Sequence, residues 1–138
     1  MLQSAPKQYF NACSTGKCDV VASYLDDGID PDSRDENGLT GLMWAGRKER
    51  LYVAQLLVEH GASVDLGDNR GRTALFHAVA YKRYNIVRWF VENGADINVV
   101  DTHGWTPLDF SRTSRHLKMV DLIESLGGTP KYSVNWKR

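Results

Sequence analysis

The sequence predicts an all-α protein, a solenoid of about four helix-turn-helix repeats of 33 residues joined by β-turn or hairpin loops. Three residue types that recur at this interval support the prediction. They are Gly28, Gly61, Gly94 and Gly127, then Asp35, Asp68 and Asp101, then Thr40, Thr73 and Thr106. A fixed period of this length is typical of stacked units, because no single unit buries its own apolar face.

Each repeat is expected to contain a short inner helix, a loop and a longer outer helix. The inner helices are predicted at roughly 40–48, 73–81 and 106–114, and the outer helices at roughly 17–27, 50–60, 83–93 and 116–126. The recurring threonines begin the inner helices, since a threonine hydroxyl accepts a bond from a free helix N–H group. The recurring glycines end the outer helices, because glycine adopts the left-handed C-terminal conformation without a side-chain clash.

The outer helices carry apolar residues at spacings of three and four, as in Ile86, Trp89 and Phe90. Equivalent positions one period apart should stack into continuous columns. One such column is predicted to consist of Val20, Val53, Ile86 and Met119.

A short motif follows each recurring aspartate. The motif reads Asp35-Glu36-Asn37-Gly38-Leu39-Thr40-Gly41-Leu42 in its first full copy, and the next copies contain Thr73-Ala74-Leu75 and Thr106-Pro107-Leu108. This pattern resembles the ankyrin repeat family over roughly residues 7–128. The resemblance implies that partners bind through the turn tips and the concave faces of the inner helices.

The resemblance also indicates how the chain is divided. We expect an ankyrin repeat domain over residues 1–128, with repeats at about 5–34, 35–67, 68–100 and 101–128, followed by a tail at 129–138. The first repeat lacks the opening turn, and the last carries Arg112 and Glu124 at apolar positions, as terminal caps do. The tail, with Tyr132, Val134 and Trp136, is expected to fold over the last repeat; alternatively it is a short strand offered to a partner.

Two departures from the family pattern bear on stability. Met43, Phe76 and Asp109 replace a histidine that normally ties neighbouring turns together by hydrogen bonds. Glu49, Lys82 and Arg115 replace the glycine between the two helices, and only Gly16 keeps it. If the three are left-handed, each costs about 1 kcal/mol.

Composition favours no polyanionic or lipid partner. Lys and Arg together number 17, Asp and Glu also number 17, and the net charge is zero. No apolar run approaches the length of a membrane span, and residues 1–7 lack the apolar core of a secretory signal. We therefore expect a cytoplasmic protein that is a monomer on its own, with no membrane association.

Neither catalysis nor a cofactor is predicted. Cys13 and Cys18 are interpreted as reduced packing residues, and the four histidines are dispersed, so no metal site is expected. Asp109, Ser111 and His77 are the residue types of a catalytic triad, but 109 and 111 lie on roughly opposite sides of one helix.

The predicted partner-binding residues occupy turn tips and exposed inner-helix positions. They are Trp44, Arg47, Lys48, Asn69, Arg70, Arg72, His77, Tyr81, His103, Trp105, Phe110, Thr113 and Ser114. Trp44, His77 and Phe110 are one period apart and should line up across the groove, where aromatic residues are common interface anchors. The alternative is that Trp44 and Phe110 fill space between repeats.

Charge is also patterned. The loops between inner and outer helices are basic, with Arg47, Lys48, Arg50, Lys82, Arg83, Arg112 and Arg115, opposed only by Glu49. These residues predict a basic ridge that would orient a partner with an acidic surface; the alternative is an ordinary solvated edge. The function predicted is a non-catalytic protein-binding module, such as an enzyme inhibitor, a toxin antagonist or an adaptor, and the alternative is a nucleic-acid-binding protein.

Overall fold

A computed structural model describes residues 5–132 of the chain. Within this part the fold is an all-α solenoid of eight helices in four pairs, as the sequence predicts. The helices are α1 (Lys7–Thr15), α2 (Cys18–Asp26), α3 (Gly41–Lys48), α4 (Leu51–Glu59), α5 (Ala74–Ala80), α6 (Tyr84–Glu92), α7 (Pro107–Thr113) and α8 (Leu117–Ser125). None of them is long and apolar enough to cross a membrane.

The inner helices form one continuous layer. Helix α1 packs on α3, α3 on α5 and α5 on α7, while each inner helix packs on the outer helix that follows it. The core between the layers is apolar, and Tyr9, Phe76 and Phe90 are among its largest fully buried side chains. Each repeat therefore buries part of its apolar surface against its neighbours.

The positions of the predicted outer-helix column are buried in three of the four repeats. Val53, Ile86 and Met119 are fully buried, but Val20 is 41 % exposed. The first repeat has no preceding helix pair among the described residues, so nothing there covers Val20. The column prediction was wrong at this position because a stack leaves its terminal face open.

The threonine caps are confirmed in all three inner helices. The hydroxyl oxygens of Thr40, Thr73 and Thr106 accept the backbone N–H three residues later, at 3.2, 3.4 and 3.2 Å. Two of the residues that replace the histidine of the ankyrin pattern accept a hydrogen bond from the backbone N–H of the capping threonine. The Met43 sulfur accepts from the Thr40 N–H and the Asp109 carboxylate accepts from the Thr106 N–H.

Glu49, Lys82 and Arg115 adopt left-handed backbone conformations, with φ of 57°, 60° and 57°. The Glu49 side chain has a further role that the sequence analysis missed. Its Oε1 accepts the backbone N–H groups of Asn85 and Ile86 at 2.9 and 3.3 Å, in the first turn of α6. Glu49 therefore caps the outer helix of the next repeat.

A ladder of side-chain bonds runs along the loops that follow the outer helices. Asp32 accepts the Ser63 N–H at 2.8 Å, and Asp65 accepts the Asp96 N–H at 2.9 Å. Asn98 accepts the Thr129 N–H at 2.8 Å in the same way. The three acceptors are one period apart, so the bond repeats at each junction.

The described part of the tail lies against the last repeat. The Thr106 hydroxyl donates to the Thr129 carbonyl at 3.1 Å, and the Lys131 N–H donates to the Asp109 carboxylate at 3.1 Å. The predictions for Val134 and Trp136 lie outside the described residues.

Candidate partner-binding groove

Three hairpin-like turns project beside the inner helices. The first spans 35–40, the second 68–73 and the third 101–106. Each begins at an aspartate whose Oδ1 accepts the backbone N–H groups two and four residues later. These bonds measure 2.8–3.0 Å and join Asp35 to Asn37 and Leu39, Asp68 to Arg70 and Arg72, and Asp101 to His103 and Trp105.

The second carboxylate oxygen of each turn aspartate is bound by a different side chain. The Trp44 indole N–H donates to Asp35 at 2.8 Å, and the His77 Nε2 lies 2.8 Å from Asp68. These donors are one period apart, as the sequence predicts. Phe110 occupies the equivalent position in the next repeat, but its side chain has no hydrogen-bond donor. Asp101 is bound instead by Arg72 Nε at 3.2 Å.

The Arg47 guanidinium connects the second and third repeats. Its central carbon lies 5.2 Å from the Trp44 ring centre and 4.9 Å from the Tyr81 ring centre. Its Nε donates to His77 Nδ1 at 3.2 Å. Because Nδ1 accepts, His77 carries its proton on Nε2 and donates it to Asp68.

His77 is predicted as an exposed groove residue, and this was wrong, since only 5 % of it is exposed. Its polar atoms are satisfied by Asp68 and Arg47, and this permits burial. Burial and the nearby Arg47 charge lower the pKa of His77 to about 4, against the opposing effect of Asp68. Burial alone would raise the pKa of Asp68, but bonds from the Arg72 and Arg70 N–H groups outweigh it and hold that pKa below its usual value. At neutral pH an uncharged imidazole therefore separates the carboxylate from the guanidinium.

A second guanidinium stack lies towards the C-terminal end of the groove. The central carbon of Arg72 is 4.8 Å from the Phe76 ring centre and 5.3 Å from that of Phe110. The two phenyl rings meet edge to face at 5.7 Å. Phe110 and Trp44 are half-buried, so each fills space between repeats while keeping one exposed side.

The other predicted binding residues are more accessible. Tyr81 is 45 % exposed and stands beside Arg47. Trp105 is half-buried at the third turn, and the remaining predicted residues are exposed: Lys48, Asn69, Arg70, His103, Thr113 and Ser114. The structure thus brings Trp44, Arg47, His77 and Tyr81 into one contiguous cluster.

Two cavities open along this face. The central pocket, of about 400 Å³, lies between the first and second turns and is lined by Arg47, Arg70, Arg72, His77 and Tyr81, among others. The N-terminal pocket, of about 480 Å³, extends from Trp44 to α1. The sequence does not predict the N-terminal pocket, because the first repeat lacks the motif by which the other turns are found.

The predicted basic ridge is partly used in holding the repeats together. Arg50 Nε donates to the Ser14 carbonyl at 3.0 Å, and Arg83 Nε donates to the Arg47 carbonyl at 2.7 Å. Each arginine therefore bridges to the end of the inner helix of the preceding repeat, Arg50 to α1 and Arg83 to α3, in the same register. Arg112 forms an ion pair with Glu124 at 3.3 Å.

Asp109, Ser111 and His77, the residue types of a catalytic triad, each form hydrogen bonds to other residues. The Ser111 hydroxyl is buried and donates to the Pro107 carbonyl at 3.0 Å, while Asp109 caps α7. His77 is bonded within the groove.

The described residues contain neither a disulfide nor a cluster of metal-binding side chains. Cys13 and Cys18 are free thiols. Burial, with a smaller effect from Cys18, raises the pKa of Cys13 to about 12 despite the opposing bond with Tyr9, which keeps this thiol protonated and unreactive. Residues 5–132 contain no cluster of His, Cys, Asp and Glu side chains that could hold a metal ion.

Stacked helix pairs with projecting turns and one continuous layer of inner helices are typical of repeat proteins that bind other proteins. The family model for ankyrin repeats, in three copies, matches residues 9–101, about two thirds of the chain. The chain belongs to the ankyrin repeat family, whose repeats typically act as non-catalytic modules that bind other proteins. None of the curated proteins compared with it matches this chain. The pair α7 and α8 lies beyond the matched residues and continues the same architecture.

Proposed function

We propose that this protein binds one partner protein stoichiometrically in its concave groove. It would act by covering part of the partner's surface, as an inhibitor, an antagonist of a toxin or an adaptor. The observation that carries the proposal is the cluster of Trp44, Arg47, His77 and Tyr81, in which each side chain is bonded to or stacked on another. Side chains already held in one geometry lose little entropy on binding, which favours a tight complex.

Tyr81 is the best residue with which to test the proposal. Its ring is exposed and adjoins the central pocket, so its removal changes the groove without opening the core. Tyr81→Ala should weaken partner binding by about 2 kcal/mol or more if Tyr81 is a central anchor, which corresponds to roughly 30-fold in Kd. Trp44 is less suitable for this test, because its indole also holds the first turn through Asp35.

The experiment captures partners on the immobilised full chain, identifies them by mass spectrometry and measures Kd and stoichiometry by calorimetry. Tyr52→Ala is the matched control, since Tyr52 is 77 % exposed on the outer helix α4. A one-to-one complex that is weakened by Tyr81→Ala and not by Tyr52→Ala supports the proposal. Equal binding by both variants, or no partner despite an intact fold, contradicts it.

The nucleic-acid alternative has weaker support, because Arg50, Arg83 and Arg112 are engaged within the protein. A steep salt-dependent gel shift with DNA or RNA would favour that alternative and contradict the proposal.

A further inference from the structure

We propose that the central pocket binds a single carboxylate, the side chain of an aspartate or glutamate of the partner protein. This inference rests on the proposed function, because it names the chemistry that the groove recognises. Its basis is the way three arginines are presented around one cavity: Arg47, Arg70 and Arg72.

Two of these guanidiniums are fixed in orientation. Arg47 lies between the Trp44 and Tyr81 rings, and Arg72 lies over Phe76 and Phe110. Each is further held through its Nε, by His77 and Asp101 respectively. Their terminal nitrogens make no hydrogen bond to any residue between 5 and 132. A guanidinium held through Nε keeps the parallel pair of N–H groups that fits a carboxylate in two-point contact.

The charge around the pocket matches one carboxylate. Three guanidiniums and the Asp68 carboxylate line the pocket, Asp101 lies outside this lining and pairs with Arg72, and the low pKa of His77 leaves that imidazole uncharged at neutral pH. One positive charge is therefore left uncompensated. This suits a single acidic side chain better than a phosphate dianion or a nucleic-acid strand, each of which needs several neighbouring cations.

Arg70 completes the site from a different direction. It is exposed at the tip of the second turn, and its guanidinium bonds to none of the residues that the structure describes. The Arg70 side chain is thus available to close over a bound carboxylate at little cost to the fold.

The test is a titration of the full, isotope-labelled chain followed by NMR through the arginine Nε–H signals. The probe is N-acetylglutamic acid α-amide, and the neutral comparison is N-acetylglutamine amide. We expect saturable shifts of the Arg47 and Arg72 signals with the acidic probe, and at least ten-fold weaker binding of the neutral one.

Three variants sharpen the test. Arg47→Lys and Arg70→Gln should each weaken probe binding about ten-fold, because lysine cannot make the two-point contact and glutamine carries no charge. Arg88→Lys is the control, since Arg88 is exposed on the outer helix α6. Retained backbone spectra establish that the variants are folded.

Equal shifts with both probes, or unchanged binding in Arg47→Lys and Arg70→Gln, would overturn the inference. Tighter binding of inorganic phosphate or of single-stranded DNA would also overturn the assignment to a carboxylate. If the probe binds as expected while no partner protein is captured, the proposed function fails and the pocket assignment stands. If a partner is captured with an affinity that Arg47→Lys and Arg70→Gln leave unchanged, the pocket assignment fails and the proposed function stands.

Discussion

Glu49 and Lys82 occupy equivalent left-handed positions, and replacing each with glycine should give different results. A non-glycine residue in this conformation costs about 1–2 kcal/mol, and glycine's additional entropy loss on folding returns about 0.5–1 kcal/mol of that. Lys82 has φ of 60° and no side-chain hydrogen bond among the described residues, so Lys82→Gly should stabilise the protein by about 1 kcal/mol or slightly less. Glu49 has φ of 57°, but its carboxylate accepts two N–H groups at the beginning of α6. Loss of a cap of this kind costs about 0.5–2 kcal/mol, so Glu49→Gly should be close to neutral or slightly destabilising.

The measurement is urea unfolding followed by circular dichroism, with both variants and the wild type at pH 7. The difference between the two variants, about 1 kcal/mol, isolates the contribution of the Glu49 cap, because the backbone change is the same. If Glu49→Gly stabilises as much as Lys82→Gly, the cap contributes nothing measurable. If Lys82→Gly fails to stabilise, the backbone-strain argument is wrong.

Two further predictions concern His77 and Gly46. The folded-state pKa of His77, about 4, lies below its unfolded value of 6.5, so the unfolded state binds the proton more readily between these values. Stability should therefore fall as the pH drops from about 6.5 to 4, by up to about 3 kcal/mol from this group. His77→Gln should reduce that slope in unfolding curves collected across the range, and a slope equal to that of the wild type would argue against the buried imidazole as the cause. Gly46→Ala should destabilise by roughly 1 kcal/mol in urea, because overpacking at about 1–3 kcal/mol outweighs alanine's helix advantage of about 1 kcal/mol. The added Cβ would meet the Ala74 carbonyl oxygen at 2.8 Å, and an unchanged midpoint would mean that this contact relaxes freely.

The residues that recur every 33 positions predicted most of the fold, because each of them determines the backbone structure in its own neighbourhood. Thr40 as a cap, Gly28 at the end of an outer helix and Lys82 in a left-handed conformation each depend on a few neighbouring residues. Features that depend on the adjacent repeat were missed. The Glu49 cap reaches a helix 36 residues later, and the burial of His77 requires Asp68 and Arg47 together.

The spacing of polar residues could have predicted some of the contacts between repeats. Arg50 and Arg83 are one period apart and donate to equivalent carbonyls. Asp32 and Asp65 are also one period apart, and they accept equivalent bonds in the loop ladder. Pairing positions one period apart by polar chemistry, in addition to apolar columns, would have predicted both sets. The central pocket is harder to predict, because its shape depends on how the Arg47 side chain packs between two rings.

The three turn aspartates explain how one architecture presents a different surface in each repeat. In every turn the aspartate Oδ1 accepts the same backbone N–H groups, so the backbone geometry is constant. The second oxygen accepts from an indole, an imidazole or a guanidinium, supplied by Trp44, His77 or Arg72. A change of donor alters the groove without altering the turn. It follows that Trp44 and His77 mainly hold the wall of the groove, since their polar atoms face inward. Under the proposed function, the parts of this cluster left to contact a partner are the Tyr81 ring and the free edges of Arg47 and Arg72, with the exposed Arg70 beside them.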